Sequence, residues 1–230
     1  METIIKTPEK MIVRTTTSYS LLNAVRRSVE EIPTLAIDEV EIVKNDSALY
    51  DEVLAHRIGL IPIKNDSKAK TGGSLYLKKV GPCTVYSGDF KGDLKIVYDA
   101  IPLTILEKDQ EIEITANTAM GTGLIHAKYV PGLIYYKNLL EVKTGNVKID
   151  SIVQNVAGAI KPEKKGNKWV CDLTDNQADE IKKLDKDSIA DSQEFLLFIE
   201  SFGMLDSEKI FSKAIETLEK NIEFFEEKLK

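Results

Sequence analysis

Cysteine, histidine and tryptophan are scarce in this chain of 230 residues, which contains two, two and one of them respectively. Two cysteines are too few for a disulfide framework and suit a reducing cytoplasm, which we predict as the location. No apolar run approaches the roughly 18 residues that a membrane span requires, so we expect no membrane association. The net charge of −6 argues against a broad nucleic-acid surface, because neutralising phosphates requires clustered Lys and Arg. Direct, specific contact with DNA is therefore not expected.

The same scarcity limits the possible catalytic chemistry. The two histidines, His56 and His126, stand in no pattern that provides a nucleophile, and we interpret both as structural hydrogen-bonding residues inside a β-rich region. Asp51 and Glu52 are neighbours, so on a helix they diverge by about 100° and do not form an acid–base pair. They are expected to favour the start of a helix through its dipole. The chain is predicted to have no active site of its own.

The N-terminal segment predicts a strand, a helix and a second strand. Residues 11–17 alternate apolar and polar types and are rich in β-branched residues. A helix is predicted from Ser18 or Ser20 to about Ile32. Its inner face would consist of Leu21, Leu22, Val25, Val29 and Ile32. Residues 35–43 alternate again, which indicates a strand with a one-residue irregularity.

Residues 48–63 combine charged pairs and an apolar run in a helix that Gly59 and Pro62 bring to an end. The apolar residues expected on one face of this helix are Leu49, Val53 and Leu54. A polar loop is predicted at 65–74, and short alternating strands follow it.

The C-terminal residues have the clearest periodicity in the chain. Residues 194–201 are apolar enough for a buried strand, which Gly203 ends. Beyond Ile210 the apolar residues are spaced 4, 3, 4, 3 and 4 apart, as in a helix seam. The seam contains Phe211, Ile215, Leu218, Ile222, Phe225 and Leu229. At roughly 1.5–3 kcal/mol each, their burial is worth on the order of 10 kcal/mol. The seam covers either the chain's own core or a face shared with a partner.

Several of these segments, in this order, resemble the alpha-like assembly subunits of multisubunit RNA polymerases, and the nearest branch is the archaeal subunits designated D. The segments that carry the resemblance are 22–27 (LNAVRR), 33–38 (PTLAID), 48–63, 118–132 and 199–203. The signature residues within them are Asp51, Glu52, His56, Arg57, Gly59, Pro62, His126 and Lys128. Gly121 and Gly123 match this signature rather than a phosphate-binding loop, because no Gly-Lys-Ser/Thr follows them.

The resemblance implies an α+β fold whose discontinuous dimerisation domain comes from both chain ends, 1–45 and 191–230. A β-rich domain, 46–142, would interrupt it, and 143–190 would form a degenerate ferredoxin-like insertion. The implied function is non-catalytic: pairing with a small subunit L and, with small subunits N and P, forming the platform for the large catalytic subunits. The partner-binding residues would be the seam together with Leu21, Leu22, Val25, Arg26 and Arg27. For the two arginines a solvated helix face is the alternative.

Some archaeal D subunits hold an iron–sulfur cluster in this insertion. A C-x2-C-x2-C-x3-C run that began at Cys171 would place its other ligands where Thr174, Gln177 and Ile181 stand. One thiolate cannot hold a four-iron cluster, so we expect no cofactor. The alternatives to a heterodimeric subunit are a homodimeric alpha-like scaffold and a cluster-free ferredoxin-like interaction protein.

Overall fold

The computed structural model of the chain, which describes residues 1–65 and 72–229, has the predicted α+β composition. Most of the predicted polar loop at 65–74 lies outside the described residues. The first elements are β1 (Glu2–Lys6), β2 (Lys10–Thr16), α1 (Tyr19–Ser28), β3 (Thr34–Asn45), α2 (Asp51–Gly59), β4 (Ser74–Val80), β5 (Cys83–Tyr86), β6 (Lys91–Gly92) and β7 (Pro102–Leu106). The later ones are β8 (Glu111–Gly121), β9 (Gly132–Lys143), α3 (Val147–Gln154), β10 (Glu163–Lys165), β11 (Lys168–Cys171), α4 (Asp175–Leu184), β12 (Ile189–Ser201) and α5 (Ser207–Leu229).

The two ends of the chain meet in a first sheet of six antiparallel strands, ordered β1-β2-β12-β9-β11-β10. β12 lies inside this sheet, where Phe195 stands opposite Thr15 of β2 and Asn138 of β9. α1 and α5 pack on one face of the sheet and against each other. The buried side chains of that face include Val13, Leu22, Val25, Leu197, Ile199 and Ile210.

A second sheet, ordered β3-β8-β4-β6, forms a separate core with α2 and the β5–β7 pair. α2 packs on β3 and β7. The core between them contains Leu35, Ile37, Leu54, Ile58, Leu77 and Ile114, all fully buried. β3 has two register shifts, at 37–39 and 42–44, where one irregularity was predicted. None of the helices in the described ranges is both long and apolar enough to cross a membrane.

The two sheets cut across the predicted domain boundaries. β3 falls in the predicted segment 1–45 but pairs with β8 in the second sheet. β9 falls in the predicted segment 46–142 but pairs with β12 in the first. β10 and β11, from 143–190, extend that same sheet. Strands group by hydrogen bonding between distant segments, and local alternation carries no information about which segments pair.

α1 begins as predicted, because Ser18 Oγ accepts a hydrogen bond from Leu21 N at 3.2 Å. It ends at Ser28, however, and a 3₁₀ turn (Val29–Glu31) continues to Ile32. Leu21 does not belong to the buried face and is half exposed. The buried residues are Leu22, Val25, Val29 and Ile32, which are spaced 3, 4 and 3 apart. Leu21 lies about 100° around the helix from Leu22 and therefore points away from this face.

The seam on α5 is real, but only its first half covers the chain's own core. Phe211, Ile215 and Leu218 pack partly buried against the first sheet. The remaining three residues, which we call the distal stripe, are in solvent. These are Ile222, Phe225 and Leu229, exposed by 52%, 64% and 72%.

A clasp of two residues joins the first and second sheets. Asn65 Oδ1 accepts from Leu35 N at 2.6 Å, and its Nδ2 donates to the carbonyls of Leu35 and Ile63. The backbone N of Asn65 donates to Met204 O, just beyond β12. Lys64 Nζ donates to Asp206 Oδ1 at 3.0 Å. The Asn65 side chain thus ties the start of β3 to the chain after α2, while its backbone N–H bonds the segment that follows β12 of the first sheet.

Replacing Asn65 by Ala should lower the free energy of unfolding by about 2 kcal/mol, since its backbone partners would lose three hydrogen bonds in a partly buried place. Denaturant unfolding measures this loss. Asn155→Ala is the matched control, because that amide makes one exposed contact, to Ser151 O within α3's end. Equal losses in the two variants would contradict the clasp.

Candidate functional site

The signature residues of α2 lie mainly on its exposed side. Leu54 and Ile58, one turn apart, anchor the helix to the core, whereas His56 and Arg57 are exposed. Of the three apolar residues predicted to share one face of this helix, only Leu54 is buried: Val53 is half exposed, and Leu49 precedes the helix, which begins at Asp51. The helix therefore exposes its charged residues to solvent, while Leu54 and Ile58 pack it against the core.

The acidic pair stands at the start of α2, as expected. Asp51 and Glu52 occupy its first turn, where a carboxylate favours the helix dipole. Asp51 Oδ1 also accepts a hydrogen bond from Asn45 Nδ2 at 2.8 Å, which ties the helix start to the end of β3.

Both histidines reach one cleft of about 240 Å³, which we call the signature cleft. Its lining comes from β3, α2 and a 3₁₀ turn (Ala127–Tyr129), and comprises Asp38, Val40, Ala55, His56, Gly59, Leu60, His126 and Lys128. Both histidines belong to the predicted β-rich segment, where both side chains are exposed. His126 Nδ1 does accept a structural hydrogen bond, from Lys128 N at 3.0 Å. Three separate sequence motifs thus converge here.

A charge network fixes the floor of the signature cleft. Lys128 Nζ and Tyr129 OH both donate to Asp38 Oδ1, at 2.8 and 2.9 Å. The bond from Lys128 holds the pKa of Asp38 below its ordinary value. Burial, together with the Asp38 carboxylate, raises the pKa of Tyr129 to about 12. Sequence reasoning named Lys128 but missed its partner Asp38, although Asp38 ends the PTLAID segment.

Gly121 and Gly123 are packed so closely that neither position has room for a side chain. A Cβ on Gly121 would lie 2.6 Å from the Tyr129 ring, and one on Gly123 would lie 2.9 Å from Glu30 O. The Gly121 contact lies at the end of β8, where the strand meets the 3₁₀ turn that contains Tyr129. The Gly123 contact is with the 3₁₀ turn that follows α1. The pair therefore lets the 118–132 segment approach both the network and the first helix.

Two further clefts flank α2. On the Arg57 side, a cleft of about 350 Å³ is lined by Leu49, Thr84 and 102–105, and Arg57 donates to Pro102 O. Beyond Leu60, a groove of about 400 Å³ lies between the two sheets. Its lining is mostly apolar and includes Leu60, Pro62, Tyr98, Val130, Phe202 and Met204. Leu60 and Lys128 are shared with the signature cleft, so the two form one continuous surface.

This surface has few grouped metal-ligand side chains and several exposed apolar ones. Among the residues that the structure describes, no three His, Cys, Asp or Glu side chains are grouped so as to hold a metal ion. Leu60, Tyr98 and Phe202 are each about half exposed, a grouping of apolar side chains typical of an interaction site.

The predicted partner-binding residues divide between core and surface. Leu22 and Val25 are buried, whereas Leu21 and Arg27 are exposed. Arg26 donates to Asn23 Oδ1 on its own helix. α5 packs on α1 and on the 3₁₀ turn after it, which leaves the distal stripe open.

The four positions that would provide cluster ligands, Cys171, Thr174, Gln177 and Ile181, make structural contacts instead. Burial raises the pKa of the Cys171 thiol to about 12. Thr174 and Gln177 form the capping box of α4, in which Gln177 Oε1 accepts from Thr174 N at 3.0 Å. Ile181 is fully buried in a core under α3 and α4. These residues do not fit an iron–sulfur cluster, because three of the four positions lack a thiol and the fourth is a buried neutral one.

The α+β fold, with two main antiparallel sheets and the smaller β5–β7 sheet, agrees with an alpha-like polymerase subunit, and comparison with known proteins identifies the family. Residues 31–152 match the family described as the RNA polymerase Rpb3/RpoA insert domain. The chain is 31% identical to DNA-directed RNA polymerase subunit Rpo3 of Pyrobaculum aerophilum, over 91% of this chain and 87% of that protein. The chain belongs to the Rpb3/RpoA family of RNA polymerase subunits.

Other relatives share the name but match over shorter stretches. Subunit Rpo3 of Methanocaldococcus jannaschii is 40% identical over 58% of this chain and 71% of its own length. Subunit Rpo3 of Thermococcus kodakarensis is 40% identical over 52% of this chain, and the match spans only about half, 51%, of that protein. These names correct the designation predicted from the sequence: the relatives are called Rpo3, and the designation D is replaced accordingly.

The charge network predicts a pH dependence. Because the fold lowers the pKa of Asp38, its carboxylate stabilises the protein above the ordinary aspartate pKa, and this contribution is lost as the pH falls through the lowered value. The difference in free energy of unfolding between wild type and Asp38→Asn should therefore shrink in acid. Denaturant titrations across a pH series measure it. Lys128→Gln should remove most of the same dependence, and an acid profile of Asp38→Asn parallel to wild type would contradict the network.

Proposed function

We propose that this chain is a non-catalytic, Rpo3-like assembly subunit of an archaeal-type DNA-directed RNA polymerase, acting in the cytoplasm. The observation that supports this most is the convergence of three signature motifs on one exposed surface around α2. A motif required only for folding would be buried. His56 and His126 instead stand exposed at the signature cleft, and the described residues include no group of His, Cys, Asp or Glu side chains that could hold a metal ion.

The finer part of the proposal concerns partners. The distal stripe and α1 would face the small subunit L, because three large apolar side chains in solvent are unfavourable unless a partner covers them. The surface around α2 would face other polymerase subunits, among them the small subunits N and P and the large catalytic subunits. This division places the two kinds of contact on different sheets, so one chain can hold two partners at once.

The distal stripe provides the sharpest test. In Phe225→Asp a charge would enter the proposed interface, so the affinity for a co-expressed subunit L should fall by about 100-fold. Light scattering on a sizing column should show a 1:1 heterodimer with the wild-type chain and separate species with the variant. Phe211 and Leu218 are less suitable, since they also pack on the chain's own core.

Phe224→Asp is the matched control. Phe224 is the same residue type, is 60% exposed and adjoins Phe225, but it lies outside the seam spacing. It should retain nearly wild-type affinity. Equal binding by the two variants, or no heterodimer with the wild-type chain, would refute the proposed use of α5.

We propose further that the chain binds no iron–sulfur cluster. After anaerobic mixing with ferrous iron and sulfide and then desalting, the wild-type chain should retain no more iron than Cys171→Ala and show no visible absorption band. The physical reason is that the capping box and the buried Ile181 occupy the ligand positions. Stoichiometric iron that the Cys171→Ala variant loses would contradict the proposal.

A further inference from the structure

The two flanks of the distal stripe differ in charge. At 100° per residue, Glu219 and Glu226 border the stripe on one side, and two more glutamates lie just behind them. We call these four exposed residues the acidic flank: Glu216, Glu219, Glu223 and Glu226. Residues 216–229 contain five glutamates and two lysines, so the exposed half of α5 is strongly acidic.

The other flank of the stripe carries a polar residue and a basic one instead of glutamates. Asn221 Nδ2, on that side, donates to Glu31 Oε2 of the 3₁₀ turn after α1 at 2.8 Å. Lys228 Nζ, also on that side, stands 5.4 Å from the Phe224 ring. A polypeptide that covers the distal stripe therefore meets glutamates along one flank and Asn221 and Lys228 along the other.

A second copy of this chain would meet its own charge there. In a two-fold dimer each subunit presents the same patch to the other. When two copies of α5 pack antiparallel about that axis, each flank lies against the same flank of the other copy, so the acidic flank of one copy would face the acidic flank of its partner. Like charges on facing helices disfavour association, and interhelical charge pairs decide which helices pair.

We propose that the acidic flank rejects a second copy of this chain and reserves the distal stripe for a different polypeptide, an apolar helix bordered by Lys or Arg. The inference rests on the proposed role of α5 as a partner face, and it adds the chemistry by which that face selects. Burial of the distal stripe provides the affinity for a partner helix, whereas the acidic flank makes binding of a second copy less favourable than binding of a basic partner.

Self-association of the full chain tests the rejection. The first variant neutralises the acidic flank with Glu216→Gln, Glu219→Gln, Glu223→Gln and Glu226→Gln. The control removes equal charge from exposed glutamates elsewhere, with Glu39→Gln, Glu41→Gln, Glu107→Gln and Glu180→Gln. Sedimentation velocity at about 0.05 M and about 0.5 M salt should show the first variant self-associating about tenfold more tightly than wild type at low salt. High salt should bring wild type towards that variant.

Two results would overturn the rejection: equal self-association of wild type and the first variant at low salt, or an equal gain in the control. In the first variant, adding Phe225→Ser should abolish the gain, since the stripe supplies the contact. Persistence of the gain would place the association elsewhere and refute the proposal.

Selection is tested with two designed helical peptides that share one leucine seam and differ only in flanks of Lys or of Glu. Fluorescence anisotropy should show the Lys-flanked peptide binding the full chain at least about tenfold more tightly at low salt, with the preference lost in the flank variant. Equal binding of both peptides would overturn the proposal. A chain that prefers the Lys peptide but ignores subunit L would refute only the proposed partner.

Discussion

The position of β12 inside the first sheet is the constraint on which the rest of the structure depends. β12 pairs with β2 on one side and with β9 on the other. The segments between these strands must therefore fold so that each one leads the chain back to the first sheet. The second sheet is one such excursion and the α3–α4 region is another. Both are held at their ends by the same three strands. α1 and α5, which flank these strands in sequence, consequently lie side by side on one face.

This arrangement separates two surfaces. The distal stripe of α5 continues the apolar face of the first sheet into solvent, whereas the signature cleft belongs to the second sheet. Between them, the clasp of Lys64 and Asn65 fixes one sheet relative to the other through the chain after β12. If the chain positions other subunits as proposed, this clasp would let a contact made at one surface orient the other.

The α3–α4 region is ordered by packing and polar contacts among its own residues. Trp169 Nε1 donates to Asp150 Oδ1 at 2.7 Å, and Ala159 N donates to Asp172 Oδ2 at the same distance. Asp172 also pairs with Lys137 of β9, which ties the region to the first sheet. Such contacts stabilise this region, and the capping box of Thr174 and Gln177 stabilises the start of α4.

The sequence alone determined the periodic elements: β2, the start of α1 and the α5 seam were predictable, because spacings of two and 3.6 residues are local properties, whereas the signature residues were named from a family resemblance. Only the tertiary structure decided which strands share a sheet, that Leu21 and Val53 face solvent, and that the seam is half core and half surface. It also brought Asp38 to Lys128 across the chain. Pairing between distant segments depends on packing energies summed over the whole fold, and no local pattern encodes that sum.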